Sequence, residues 1–308
     1  MSRTVANLLL LTAGAIWGMG FVAQQTAMDD IGPLLFIACR FIVAGFAVLP
    51  FAVAELKKTD HQSYLSAVQT FRLSFFWVGL AFFLGMAFQQ VGLVDTSVTN
   101  AGFLTALYVI MVPFLMVSLL RIPQPTIIWP ASLLALGGIY LLSGGDISSL
   151  NTGDILIIIS ALFWAAHVIL TGRVGQKTKI PVTMACTQFF ITSTLAFTFF
   201  AGSMITGLGE TLPSSAQFIG ALPEILYAGI IAGGLGFTLQ AIGQRYTSES
   251  AAAVLISTES LFAAMFGAIF LGERLIWIGY IGCGLIFIAI LIVELMPSRT
   301  DKKTAPQN

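Results

Sequence analysis

The chain has 308 residues with 14 Lys and Arg against 14 Asp and Glu, a mean hydropathy of +0.93, and charged residues at only 9% of the total. A water-soluble domain carries about 25% charge, so a soluble globule of this composition is excluded and lipid is the natural solvent. Zero net charge offers nothing to nucleic acid, and the three cysteines (Cys39, Cys186, Cys283) sit inside apolar stretches without zinc or redox spacing.

Ten apolar stretches follow one another, each near the length of about 20 residues that crosses a bilayer core. The first, near 5–27, carries Gly14, Trp17, Gly18 and Gln24. Its Arg3, apolar run and Ala13-Gly14-Ala15 tract fit a signal peptide, but an internal stretch around Trp164 matches it, which favours a retained helix. The second, near 33–54, holds Arg40. The third, near 73–94, has Gly85, Gln89 and Gly92 on one helix face. The fourth, near 98–120, holds Asn100, Tyr108 and Pro113, the last predicting a kink. The fifth and sixth, near 126–143 and 154–172, are slightly short, and the sixth carries Trp164 and His167. The remaining four lie near 181–202, 222–244, 250–271 and 275–295, with Gln240 in the eighth and Glu259 in the ninth. The expected fold is an all-α integral membrane protein of ten transmembrane helices.

The sequence repeats. Gly85, Gln89, Gly92, Thr96 and Ser97 recur as Gly236, Gln240, Gly243, Thr247 and Ser248, 151 residues on. Trp17 and Ala38-Cys39 recur as Trp164 and Ala185-Cys186, 147 residues on. Each copy holds five stretches, an odd number, so the second copy enters the membrane from the opposite side. The expected domains are a first five-helix repeat over 1–146, an inverted second over 147–297, and a disordered cytoplasmic tail over 298–308. The turn at 144–153 joins the copies, and the loop near 203–221 is expected to be irregular or to hold a short surface helix.

Charge sets the orientation. With the amino terminus inside, Arg3, Lys57, Lys58, Arg72, Arg121, Arg173, Lys177, Lys179 and Arg245 fall on the cytoplasmic side, and Arg274 alone falls outside. The loop after the first stretch has Asp29 and Asp30 and no base, whereas its counterpart after the sixth has Arg173, Lys177 and Lys179. That reversal supports inversion independently of the sequence match. Both termini are expected in the cytoplasm, in a bacterial-type inner membrane.

Glu259 is the sharpest candidate for chemistry. It lies nine residues into its stretch, about 13 Å deep, where an acid costs about 2.5–3.5 kcal/mol on insertion scales. It therefore faces a cavity, pairs with a base or carries a proton. Its repeat partner is Tyr108, which a pseudo-two-fold axis would bring opposite it. Arg40 lies about 10 Å into its stretch, and three readings stand: contact with an anionic solute group, pairing with a carboxylate, or snorkelling to the surface. His167 is a second proton-relay candidate or a neutral packing residue. Gln89 and Gln240 bond neighbouring helices or the solute. Trp17, Gln24, Asn100 and Trp164 complete the candidate lining, with plain packing the alternative for Trp17 and Trp164. The tract after Gly172 lacks Walker spacing, and no metalloprotease, hydrolase-elbow or His-rich metal motif occurs. No enzyme, cofactor or metal is expected.

The chain resembles the drug/metabolite transporter superfamily, EamA family. The residues that carry this are Trp17-Gly18, Arg40-Phe41, Asn100 to Thr105 through Tyr108 to Pro113, and Phe270-Leu271-Gly272-Glu273-Arg274-Leu275. The resemblance implies two inverted five-helix repeats, alternating access and export of small metabolites. It departs from relatives at Ser260, where proline often follows the acid, and at Arg121-Ile122, which stand where the second copy has Gly272-Glu273. Glu273 is expected to anchor a helix end. The function expected is efflux of an amino-acid-like or drug-like solute from a cavity lined by stretches one, three, four, six, eight and nine, coupled to protons through Glu259. A gradient-independent facilitator of the same fold is the alternative, and a sensor or scaffold without flux a more distant one.

Overall fold

The computed structural model describes residues 1–59, 61–142, 150–206 and 209–295. The expected disordered tail at 298–308 and most of the turn between the copies lie outside them. The described residues form helices and loops. They are α1 (Arg3–Ala27), α2 (Pro33–Lys58), α3 (His61–Gly92), α4 (Val98–Thr105), α5 (Tyr108–Ser118), α6 (Ile128–Leu142), α7 (Thr152–Thr178), α8 (Pro181–Thr206), α9 (Ser215–Gly220), α10 (Leu222–Leu226), a π-helical run (Tyr227–Gly236), α11 (Phe237–Gly243), α12 (Glu249–Ile256), α13 (Glu259–Phe270) and α14 (Trp277–Glu294). Among the described residues eight spans are long and apolar enough to cross a membrane, two of them being α4 with α5 and α12 with α13; Ile128–Leu141 and Trp277–Val293 are shorter apolar helices. α9 is the short helix of the 203–221 loop, closed by a capping box between Ser214 and Gln217.

Helices α2 and α8 pack together, as do α3 and α7, α6 and α14, and α1 and α13. Glycine sets the close approaches, as lipid leaves packing rather than water exclusion to hold helices together. A Cβ on Gly18 would stand 2.7 Å from Ala263 N and from the Phe262 carbonyl carbon. Gly92 would meet Gly153 O at 2.6 Å, and Gly229 would meet Arg40 O at 2.8 Å. Large apolar side chains cover the outside, with Ile205 86%, Leu119 73% and Trp277 73% exposed, a surface suited to lipid.

Backbone geometry follows the sequence repeat bond by bond. α4 breaks from α5 where Ala106 N bonds Gly102 O (3.2 Å), Leu107 N bonds Leu104 O (3.4 Å) and Val109 N bonds Ala106 O (3.0 Å). α12 breaks from α13 through Ser257 N to Ala253 O (3.1 Å), Thr258 N to Leu255 O (3.4 Å) and Ser260 N to Ser257 O (3.1 Å), each 151 residues on. Pro113 does not explain this break. It lies beyond it, and Ala264 takes its place in the second half. The second break is lined instead by hydroxyls that bond back to the chain, Ser257 to Val254 O, Thr258 to Leu255 O and Ser260 to Ser257 O. Both halves then end the helix pair alike. Ile122 N reaches Met116 O (2.9 Å) and Glu273 N reaches Gly267 O (3.2 Å), around left-handed Arg121 (φ 54) and Gly272 (φ 71). This is a Schellman stop, which glycine adopts freely and arginine at a cost.

Three glutamates tie helix starts to other elements. Glu55, in α2, accepts from Val182 N and Thr183 N at the start of α8. Glu210, after α8, accepts from Leu34 N and Leu35 N at the start of α2. Glu273 accepts from Val98 N and Thr99 N at the start of α4, the helix-end anchor expected of it. Carboxylates satisfy amides that a helix start leaves unpaired and oppose its positive dipole end. Burial raises the Glu210 carboxyl above its ordinary range, and the two amide bonds act against that shift.

Candidate functional site

The breaks put two side chains face to face. Tyr108 is the first residue of α5 and Glu259 the first of α13. Tyr108 Oη donates to Glu259 Oε1 at 2.9 Å, and both residues are buried, 3% and 6% exposed. They border a cavity of about 40 Å³ among α1, α2, α3, α4–α5, α7, the π run with α11, and α12–α13. That is room for two or three waters.

Eight of the ten sequence-expected residues line it: Trp17, Gln24, Arg40, Gln89, Tyr108, Trp164, Gln240 and Glu259. Asn100 and His167 do not. Asn100 sits in the first turn of α4, its amide capped by Ser97 Oγ at 3.2 Å. His167 is fully buried between α7 and α8, with Nε2 2.9 Å from Gln188 Oε1 and 3.1 Å from Thr171 Oγ1. Through Arg40, itself a candidate, and Phe41 the lining also takes in α2, which is not among the stretches expected to form the cavity wall.

Arg40 turns inward and is 2% exposed, so it does not snorkel. Its Nη2 lies 2.5 Å from Met86 Sδ, and its guanidinium carbon stands 5.0 Å and 4.7 Å from the Phe36 and Phe41 ring centres. Aromatic faces attract a cation, yet Nε has no partner and, among the described residues, no carboxylate pairs with the group. A buried, cavity-facing guanidinium left this way is a ready fork for an anionic group.

Repeat-related pairs have diverged in their polar partners. Gln89 Nε2 donates to Thr105 Oγ1 at 2.8 Å. At the matching place in the second half Ile256 replaces Thr105, and Gln240 Oε1 has no partner. Trp17 Nε1 donates to Ala232 O at 2.9 Å, whereas Trp164 Nε1 has none. The π run accounts for the difference. Phe237 N bonds Gly233 O at its exit, and a wider π turn ahead of an α turn skips one carbonyl. Trp17 fills the one skipped. Gln24 Oε1 is also unpartnered. The cavity thus offers a cation, an indole donor, two amide acceptors and a carboxylate around an aromatic wall. Among the described residues no group of three His, Cys, Asp or Glu could hold a metal ion.

Sequence reasoning missed Thr105, Met86 and Phe237 in this lining. Thr105 and Phe237 had signals, the one closing the Asn100-to-Thr105 tract and the other following Gly236 in the repeat. Met86 carried none, since a thioether among apolar residues looks like packing.

The sequence model of the EamA-like transporter family matches residues 4–144 and again 151–295. The chain belongs to this family. It is 32% identical over 295 residues to an "Uncharacterized transporter" of Archaeoglobus fulgidus, covering 96% of this chain and 87% of that one. It is 25% identical to the "Uncharacterized transporter YwfM" of Bacillus subtilis over 99% of this chain and 98% of that protein. The "Uncharacterized inner membrane transporter YedA" of Escherichia coli is 26% identical over 91% and 87%. A solved crystal structure aligns with a TM-score of 0.72 over 96% of this chain and 98% of its own, at 16% identity, which is a likeness of fold. This EamA-family chain is thus a multi-pass membrane protein of transporter type, in a bilayer and acting on a small solute.

Proposed function

We propose that this EamA-family protein is a secondary transporter exporting a small organic metabolite, amino-acid-like or drug-like, across the cytoplasmic membrane by alternating access. Ten spanning helices form two inverted five-helix repeats, residues 1–146 and 147–297, with both termini in the cytoplasm. The ten sequence-derived candidates, from Trp17 to Glu259, form and flank the solute path, Arg40 receives an anionic group of the solute, and Glu259 carries the coupling proton, with His167 as a second relay.

One observation carries this reading. Tyr108 and Glu259, 151 residues apart and first in their half-helices, share a hydrogen bond inside a polar cavity. Repeat-equivalent residues meet in this way on a pseudo-two-fold axis, where transporters of inverted-repeat design hold their solute. The starts of α5 and α13 also turn their positive ends toward the cavity, which favours an anionic group there. Opposite basic and acidic loops of the two copies support the inversion.

The test begins with a metabolite panel scored by thermal shift on purified protein, followed by flux of the hits in proteoliposomes. A proton-coupled carrier accumulates the solute uphill under an imposed pH gradient. Glu259→Gln flattens the pH dependence of flux. An unchanged pH profile removes Glu259 as the coupling group, and accumulation that never exceeds equilibrium identifies a facilitator.

A further inference from the structure

Phe237 belongs to the cavity wall and to something behind it. Its ring packs on Trp17 (centroids 4.4 Å), runs parallel to Trp164 (5.8 Å, 4°) and meets Phe82 edge-on (4.5 Å). It also stands 6.1 Å from the His167 ring, which does not line the cavity. Beyond it, polar side chains continue along facing turns of α7 and α11. His167 and Thr171 follow one another on α7, and Gln240 and Gln244 on α11 and its end. Gln244 Nε2 donates to Val168 O at 3.0 Å, and Gln176 Nε2 to Gln244 O at 3.3 Å. Gln176 is exposed, beside Lys177 and Lys179.

Along this seam three fully buried polar atoms, His167 Nδ1, Gln240 Oε1 and Gln244 Oε1, have no hydrogen-bond partner among the described residues. Buried polar atoms are seldom left bare, and within a membrane span no bulk water reaches them from outside. A string of such atoms ending at an exposed glutamine has the chemistry that the lining of a narrow hydrated passage requires.

We propose that Phe237 is the shutter of a hydrated route that leaves the central cavity between α7 and α11, past Gln240, His167, Thr171 and Gln244, to the basic end of the molecule. The route rests on the transporter reading above and gives its solute one of its two exits. The shutter is placed to move. Phe237 follows directly on the π-helical run, and relaxing one π turn to α geometry shifts α11 by one residue, a rotation of about 100°. That rotation carries the ring off the cavity wall and breaks the Trp17–Ala232 bond.

Cysteine accessibility tests it without knowledge of the solute. In full-length protein with Cys39, Cys186 and Cys283 changed to Ala, Thr171→Cys marks the seam and Thr105→Cys the cavity. The probe is a membrane-impermeant trimethylammonium methanethiosulfonate, applied to either face of sealed vesicles. Thr171→Cys is expected to react only from the face bearing Lys177 and Lys179. Phe237→Ala is expected to speed reaction of Thr105→Cys from that face by at least about tenfold, a shift of about 1.4 kcal/mol toward the open route. Phe237→Leu, which keeps bulk and guards against misfolding, gives a smaller gain. A Thr171 site silent from both faces, with Thr105→Cys labelled from the opposite face, overturns the route and leaves the transporter reading standing. Equal Thr105→Cys rates with Phe, Leu or Ala at 237 overturn the shutter. Silence of both sites from both faces removes the route and the transporter reading together.

Discussion

Removing the Glu273 carboxylate tests whether these helix starts are held by acids from distant parts of the chain. The amides of Val98, Thr99 and Asn100 at the start of α4 have no intrahelical acceptor and need other partners. Glu273 takes Val98 N at 3.0 Å and Thr99 N at 3.1 Å and also accepts from Thr99 Oγ1; Ser97 Oγ takes Asn100 N at 3.2 Å and Ser97 O takes Ala101 N at 2.8 Å. Glu273→Ala strips two amides and one hydroxyl of their acceptor. Each bond to a charged group is worth about 1.5–3 kcal/mol where water is excluded, and the anion at the helix start adds about 0.3–1 kcal/mol. Glu273 is only partly buried, so water restores part of this, and the net loss expected is about 2 kcal/mol. For a chain of this size that lowers the thermal midpoint by about 3 °C. Glu273→Gln keeps one acceptor and loses about half as much, while Arg274→Ala, at the exposed neighbour, changes nothing. Thermal unfolding of purified protein in detergent reads all three. An alanine variant as stable as the parent would refute the clasp, as would glutamine and alanine costing the same.

Two further perturbations follow from the geometry. Gly18→Ala drives a methyl into the backbone of α13 and should cost about 1–3 kcal/mol, whereas Gly137→Ala, with open space around it, should be neutral or slightly stabilising; equal midpoints for the two would contradict the α1–α13 contact. Burial raises the Glu210 carboxyl, so its ionised form is disfavoured in the folded protein and its contribution to stability falls as pH rises through that raised range. The midpoint of the parent minus that of Glu210→Gln should therefore be larger near about pH 4 than near about pH 8, and a difference that grows with pH would reverse the sign.

Much of the fold was written in hydropathy. Where the sequence carried long apolar stretches the structure has helices, because in lipid every backbone amide must find its partner within the helix. The Glu259–Tyr108 meeting was also legible, since a 151-residue offset and an acid at mid-span point to it together. A kink is expected at Pro113, but the helix breaks ahead of it, and the same break stands in α12–α13 without a proline, so it belongs to the shared fold. Arg40 left several readings open because sequence gives depth and not direction; its burial against the Phe36 and Phe41 rings and the Met86 sulfur excludes snorkelling. The π run was invisible. It shifts backbone bonding by one residue and leaves no compositional trace beyond glycines that packing alone would explain.

The central claim is that two oppositely inserted bundles share one polar pocket, and its most direct measurement is sidedness. Single cysteines at Ser2 and Ser148, in a background free of native cysteine, are labelled with an impermeant maleimide in sealed vesicles of known orientation. Labelling of position 2 from the cytoplasmic face and of position 148 from the opposite face is the result expected. Both positions reacting from one face would mean that the halves enter the membrane the same way round, and the shared axis through Tyr108 and Glu259 would be lost.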